Sequence, residues 1–182
     1  EGYTFPAVAD GRVKKLELPN RLPSGMTALV LNARKAAFAD PRVRRAFLLM
    51  FDAEFINRSL YGGAFKRTRS FFDRSDLASA DRPADARERQ LLAPFPDAVK
   101  PEILAGTYAL PTTRGTGDDR ANLQAAFRLL QAAGYVQANG RLERDGTPLR
   151  IEFLAANRLH ERLMLAYARS LERLGIAASV RL

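Results

Sequence analysis

Residues 149–182 read LRIEFLAANRLHERLMLAYARSLERLGIAASVRL, and this stretch decides the fold. Leu149 to Leu154 has the short apolar-rich pattern of a strand. From about Arg158 the spacing changes. Leu159, Leu163, Ala166, Tyr167, Ser170, Leu171 and Leu174 follow the helical repeat, and Gly175 ends it. Ile176 to Leu182 is apolar-rich again, with the alternation of a strand in mid-course. Strand, helix, strand at this length implies a right-handed crossover and a parallel pair. The fold class is therefore α/β, with α+β as the neighbouring possibility.

Upstream, Asp118 or Asp119 opens a second helix with Leu123, Ala126, Phe127 and Leu130 on one face, closed by Gly134 in the left-handed position. Tyr135–Leu142 reads as a strand, and Asp145-Gly146 is a hairpin turn signal before Leu149. Asp40-Pro41 is a strong helix start, since Asp caps free amides and Pro presets the first helical φ. Val43, Ala46, Phe47, Met50 and Phe51 then form one apolar face. The helical pattern resumes through Phe55, Ile56 and Leu60 and stops at Gly62-Gly63. Residues 64–80 are irregular. Pro83–Leu92 suggests a short helix closed by Pro94 and Pro96, and Pro101–Gly117 a long surface loop. Val13–Leu18 and Met26–Leu31 read as two strands around the turn-rich segment 19–25.

A chain of 182 residues, 47% hydrophobic and 27% charged, suits one compact domain with a core, here residues 1–182. No apolar run approaches the ~20 residues that cross a bilayer. Cysteine is absent, which excludes disulfides, thiolate metal sites and cysteine nucleophiles. The opening Glu1–Pro6 carries neither an initiator Met nor an export segment, and the chain stops on a strand, so it is read as a fragment of a longer protein. Net charge is +9, and 24 of the 29 basic residues are arginine. Their scatter, with acids interleaved as in Arg87-Glu88-Arg89, favours solvated faces over a nucleic-acid patch, which stands as the alternative.

Several blocks resemble the family 5 extracellular solute-binding proteins, the peptide- and nickel-binding group, and within it the YejA-like branch. They are Gly2–Val8, Gly25–Arg34, Phe38–Ala46 with its Asp-Pro-Arg-Val-Arg core, Phe51–Asn57 and Leu60–Thr68; downstream, Arg120–Tyr135 and Leu171–Ile176 match the closing helices. The likeness departs at Ala53 and Gly63, where the branch carries aromatic residues. The resemblance implies one lobe of a type II periplasmic-binding-protein fold, a mixed sheet flanked by helices, from the C-terminal lobe. It further implies a monomeric, periplasmic component of an ABC transporter that captures an oligopeptide or peptide-like solute for a membrane permease, with no cofactor, no metal, no nucleic acid and no enzymatic step.

The residues themselves point the same way. His160 is a lone helical histidine with neither a second His nor a Cys to share a metal. Asp118-Asp119 suits helix capping better than paired-acid catalysis. Gly115-Thr116-Gly117 lacks the third Gly and the Lys of a phosphate loop. The stretch Tyr61–Phe72 is the best ligand-contact candidate. Its glycines admit close backbone approach, Tyr61 and Phe71 offer flat apolar faces, and Arg67 or Arg69 could pair with a carboxylate. Against this, Phe65, Phe71 and Phe72 could be core anchors. Asn32 and Arg34, at the end of a strand, complete the candidate set.

Overall fold

A computed structural model describes residues 4–16, 18 and 22–182. Its elements in chain order are α1 (Pro6–Ala9), α2 (Ala36–Ala39), α3 (Pro41–Leu49), α4 (Ala53–Tyr61), α5 (Ala86–Leu92), α6 (Pro101–Leu104), α7 (Arg120–Ala132), β1 (Val136–Ala138), β2 (Arg141–Arg144), β3 (Thr147–Pro148), β4 (Arg150–Leu154), α8 (Arg158–Glu172) and β5 (Ala177–Arg181). The backbone divides into two compact units: residues 1–26 with 70–108, and residues 27–69 with 109–182.

The second unit holds the core. Val43, Ala46, Phe47 and Met50 of the α3 segment share one buried cluster with Ala126 and Leu130 of α7, Tyr167 and Leu171 of α8, and Ile151 and Phe153 of β4. Strands β4 and β5 pair in parallel, as expected, with Ile151 opposite Ala178 and Phe153 opposite Val180. Those four residues face inward, and the intervening Arg150, Glu152 and Leu154 face out. The antiparallel pairings sit in a separate sheet, β1-β2-β3. The expected strand from Tyr135 to Leu142 is cut in two because Asn139 and Gly140 both take positive φ and make a second two-residue turn like that of Asp145-Gly146.

Caps fix the helices where the sequence placed them. The Asp40 carboxylate accepts from the Arg42 amide and from its guanidinium, which holds that carboxyl below the usual range. Arg42 reaches on to the carbonyl of Ala132 and Arg144 to that of Ala133, so two cations meet the last carbonyls of α7. Asp119, not Asp118, caps α7 through the Asn122 amide.

Three further sequence expectations are not met. Residues 26–31 join no ladder among the described residues, so they are not a strand. Leu29 and Leu31 pack on the core while Val30 is 91% exposed, which satisfies the alternation without any pairing. Residues 13–16 and 18 likewise lie outside any strand. Glu17 and the turn at Pro19–Arg21 lie outside the described residues, as do Gly2 and Tyr3. The expected loop 101–117 contains a single helical turn, α6, started by Pro101.

The first unit is built differently. The capping box of Asp85 and Glu88 starts α5, and Arg89 bonds the carbonyls of Ala84 and Leu104. Gly106, at φ +72°, lies against the Arg82–Pro83 backbone where a Cβ would sit 2.4 Å from the Arg82 carbonyl carbon. None of its described hydrophobic side chains is buried.

Candidate functional site

The predicted contact residues fall in both units. Asn32, Arg34, Tyr61, Arg67 and Arg69 belong to the second unit and Phe71 to the first. Asn32 accepts from the amides of Arg34 and Lys35, through its side chain and its carbonyl respectively, so it forms the turn that precedes α2. Arg34 is exposed beside it.

Tyr61 ends α4, and residues 62–65 form a preorganised turn. Gly62 takes the left-handed cap position, and its amide and that of Gly63 both donate to the Asn57 carbonyl. The Asn57 side chain then grips Phe65 twice, its Nδ2 donating to the Phe65 carbonyl and its Oδ1 accepting from the Phe65 amide at 3.0 Å. Tyr61 and Phe65 meet edge to face with ring centres 5.0 Å apart. Phe65 stays 58% exposed and nothing lies within 4 Å of a Cβ placed on Gly63. The turn is therefore both rigid and open.

Arg67 has structural work. Its Nη1 donates 2.9 Å to the Pro111 carbonyl, and its guanidinium lies over the Phe51 ring at 5.6 Å. Arg69 is exposed two residues further on. Phe65, Phe71 and Phe72 are all more than half exposed, so none anchors a core. The reading of those three as core anchors is thereby corrected. An irregular segment is held here by backbone-directed hydrogen bonds and not by burial of its rings.

A second feature went unread in the sequence. Asp52, 7% exposed, caps α4 through the Phe55 amide and also accepts from Thr113 Oγ1 at 2.5 Å and the Gly117 amide at 2.9 Å. Arg58 donates to the Gly115 carbonyl, Asn122 to that of Thr112 and Arg173 to that of Gly117. With Arg67 on Pro111, side chains from α4, α7, the C-cap of α8 and the segment after α4 thus hold the loop 111–117 along its length. The available signal was Asp52 before a helical pattern, the same N-cap signature as Asp40. The shallow polar recess beside it, floored by Met50 and Asp52 and rimmed by Asp119, Asn122, Ser170 and Arg173, has room for about one water-sized guest. It is a scaffold joint and too small for a peptide side chain.

Among the described residues no group of three His, Cys, Asp or Glu could hold a metal ion. Asp119 is committed to its helix cap, and the Asn122 amide, foremost among its donors, keeps its carboxyl below the ordinary range. The His160 amide donates to the Asn157 cap of α8. No helix among the described residues is long and apolar enough to cross a membrane.

Comparison with known proteins gives a consistent result. The profile described as "Bacterial extracellular solute-binding proteins, family 5 Middle" matches residues 5–182. The Brucella melitensis protein BMEII0691 is 44% identical over 98% of this chain and 29% of its own length. The "Peptidoglycan-binding protein YepA" of Agrobacterium fabrum is 43% identical over 100% of this chain and 30% of its own. The chain thus spans less than a third of the length of the curated relatives it matches. Among solved structures, an ABC transporter substrate-binding protein from Sinorhizobium meliloti superposes with a TM-score of 0.56 at 21% identity, over 82% of this chain and 25% of that one. NikZ from Campylobacter jejuni, in complex with Ni(L-His), gives 0.56 at 18% identity, over 82% of this chain and 24% of that one. At those identities the structural likeness speaks for the fold, that of type II periplasmic binding proteins.

Proposed function

The chain belongs to the bacterial extracellular solute-binding proteins of family 5, and from that premise we propose that it is part of the C-terminal lobe of a longer binding protein, one that captures peptides or peptide-like solutes in the periplasm and delivers them to an ABC permease. The observation that carries the proposal is the turn Gly62–Phe65, exposed yet immobilised by Asn57. A binding lobe needs such surfaces. Fixed backbone groups and an aromatic face lose little entropy when a ligand docks.

The mechanism is clasping without chemistry. The ligand favours a closed arrangement of two lobes through contacts to both, and the permease reads that state. Tyr61 and Arg69, with Asn32 and Arg34, are the proposed contacts on the second unit, and Phe71 is a separate candidate on the first. Arg67 supports them from behind by holding Pro111. Peptides released from the cell wall are a natural ligand class to test first, since a relative 43% identical to this chain is named for binding peptidoglycan.

Calorimetric titration of the full-length protein with oligopeptides and with wall-derived peptides tests the reading. Saturable binding of one class at 1:1 stoichiometry is expected, with Tyr61→Ala weakening it roughly tenfold, about 1.4 kcal/mol. Absence of heat and of any thermal-shift response across both classes would end it.

A further inference from the structure

The turn after α4 has a polarity as well as a shape. Its four amides are all spent inside the protein. Those of Gly62 and Gly63 donate to the Asn57 carbonyl, that of Ala64 to the Tyr61 carbonyl at 3.1 Å, and that of Phe65 to Asn57 Oδ1 at 3.0 Å. Asn57 Nδ2 fills the Phe65 carbonyl. The carbonyls of Gly62, Gly63 and Ala64 accept from no group among the described residues, and all three residues are exposed. Residues 62–64 therefore offer acceptors and no backbone donor.

The surroundings keep that polarity. Arg58 and Arg67 flank the turn in sequence, yet Arg58 donates to the Gly115 carbonyl and Arg67 to the Pro111 carbonyl. Helix α4 ends here, and the negative end of its dipole favours donors over acceptors. Phe65, in the same turn, sets its largely exposed ring edge to face with Tyr61. A ligand lying on that apolar surface sheds water, and a hydrogen bond made beside it is stronger for the lower local dielectric.

We propose that residues 62–64 form a subsite selective for N–H donors of a bound peptide, a main-chain amide or the terminal ammonium, and closed to carboxylates and other pure acceptors. An acceptor placed here would give up its hydration to face three carbonyl oxygens with no N–H to bond. The inference rests on the proposed reading of this turn as a ligand contact and adds to it a chemical preference. Arg69 carries only donors and the turn presents only acceptors, so the two candidates read opposite polarities of one peptide.

Gly63→Ala tests the subsite. At φ +79° a Cβ there meets nothing within 4 Å, so the substitution adds a methyl beside the carbonyls without a clash. Gly140→Ala, at φ +74° and equally open, carries the same kind of backbone strain in the β1–β2 turn and serves as the control. Calorimetry on the full-length protein uses trialanine, tetraalanine and pentaalanine, whose small side chains leave main-chain contacts to dominate. Each is compared with analogues lacking one N–H group: an ester in place of a single amide, or hydrogen in place of the terminal amine. At least one analogue should bind the unsubstituted protein and Gly140→Ala about tenfold more weakly than its parent does, and Gly63→Ala no more than about threefold more weakly. An ester behaving so identifies a main-chain amide as the donor, and the des-amino form identifies the ammonium. Equal losses in Gly63→Ala and the unsubstituted protein overturn the inference and leave peptide binding standing. A loss on amidating the C-terminal carboxylate that Gly63→Ala abolishes overturns it as well, since the turn would then hold an acceptor. No binding of the three parent peptides overturns it too, because main-chain donors need no side chain. If every other peptide also fails to bind, the proposed function falls with it.

Discussion

The phenol of Tyr167 in α8 donates a 2.6 Å hydrogen bond to the carbonyl of Phe47 in α3, joining residues 120 apart at a fully buried point. The same ring meets Phe51 edge to face at 5.2 Å and Phe153 at 5.5 Å. One side chain thus ties helix α3, strand β4 and the start of the candidate site's scaffold.

Tyr167→Phe keeps the ring and strands the carbonyl. The expected cost is about 1–3 kcal/mol, read as a lower urea midpoint with an unchanged m-value. Tyr167→Ala removes the ring as well and should cost about 3–5 kcal/mol. Burial pushes the phenol's pKa up from its ordinary value near 10, and a raised folded-state value means that this stability is fully present below pH ~10 and is lost as pH rises further. Tyr167→Phe should therefore flatten the alkaline limb of a stability-versus-pH curve; an identical limb in both proteins contradicts the assignment.

Asp52 joins the cap of α4 to the loop 111–117. Asp52→Ala leaves the Phe55 and Gly117 amides without their acceptor, while the Thr113 hydroxyl keeps Glu54 Oε2 at 2.9 Å, a loss of about 2–3 kcal/mol. Asp52→Asn keeps an acceptor oxygen and should recover part of it. Hydrogen exchange at Gly117 distinguishes this joint from a general loss of stability, because in Asp52→Ala that amide should exchange fastest relative to the amides of α7.

Arg67 and Arg69 are two residues apart with different environments. Arg67→Ala removes the bond to Pro111 and the contact with Phe51, so thermal stability should fall, by a few degrees for a loss of about 1 kcal/mol. Arg69→Ala removes an exposed side chain and should weaken binding of a carboxylate-bearing peptide severalfold, more than Arg67→Ala does. The reverse pattern would exchange the roles assigned to the two arginines.

How much of this was legible depended on whether a signal was local. Asp40, Gly62, Gly134 and Gly175 each act within one turn of themselves, and the sequence placed all four helix ends correctly. The parallel pairing of β4 with β5 followed from the length of the intervening helix. The split at Asn139-Gly140 was equally local and was missed because Val136 and Leu142 carry the same apolar signal on either side of it. The segment 26–31 shows the opposite limit. Alternation records which face is buried, but a strand also needs a partner, and pairing lies outside any local pattern. The loop 111–117 was hidden for the same reason, since its restraints come from Asp52, Arg58 and Arg173, far along the chain.

Gly175 and Gly140 share a left-handed backbone, φ +80° and +74°, but differ in surroundings. A Cβ at Gly140 meets open space, so Gly140→Ala should cost only the conformational strain of about 1–2 kcal/mol. At Gly175 the same atom would sit 2.9 Å from the Leu142 amide nitrogen and 3.0 Å from the Gly140 carbonyl oxygen. The Leu142 amide donates to the Gly175 carbonyl, so the clash falls where the hairpin is bonded to the end of α8. Gly175→Ala should cost about 1–3 kcal/mol more than Gly140→Ala, and equal melting temperatures would show that the junction yields without resistance.

The charge balance separates the solute-binding reading from its nucleic-acid rival. Twenty basic residues against ten acidic ones in the second unit will attract any polyanion at low salt, so weak binding to single-stranded DNA there decides nothing. The slope and the end point do decide. Affinity that arises only from released counterions falls linearly in log–log terms as salt rises, and a surface of scattered arginines has no stacked aromatic platform to retain the strand once those ions return. Capture of a peptide in a cleft depends on contacts and closure, and it should weaken far less. Titrations of the full-length protein with a thirty-nucleotide strand and with its best peptide, at 20 and 150 mM salt, should therefore diverge, the DNA losing measurable binding and the peptide keeping it. Micromolar affinity for DNA at 150 mM salt with none for peptide would reverse the functional assignment, since the excess of arginine would then be the binding surface itself.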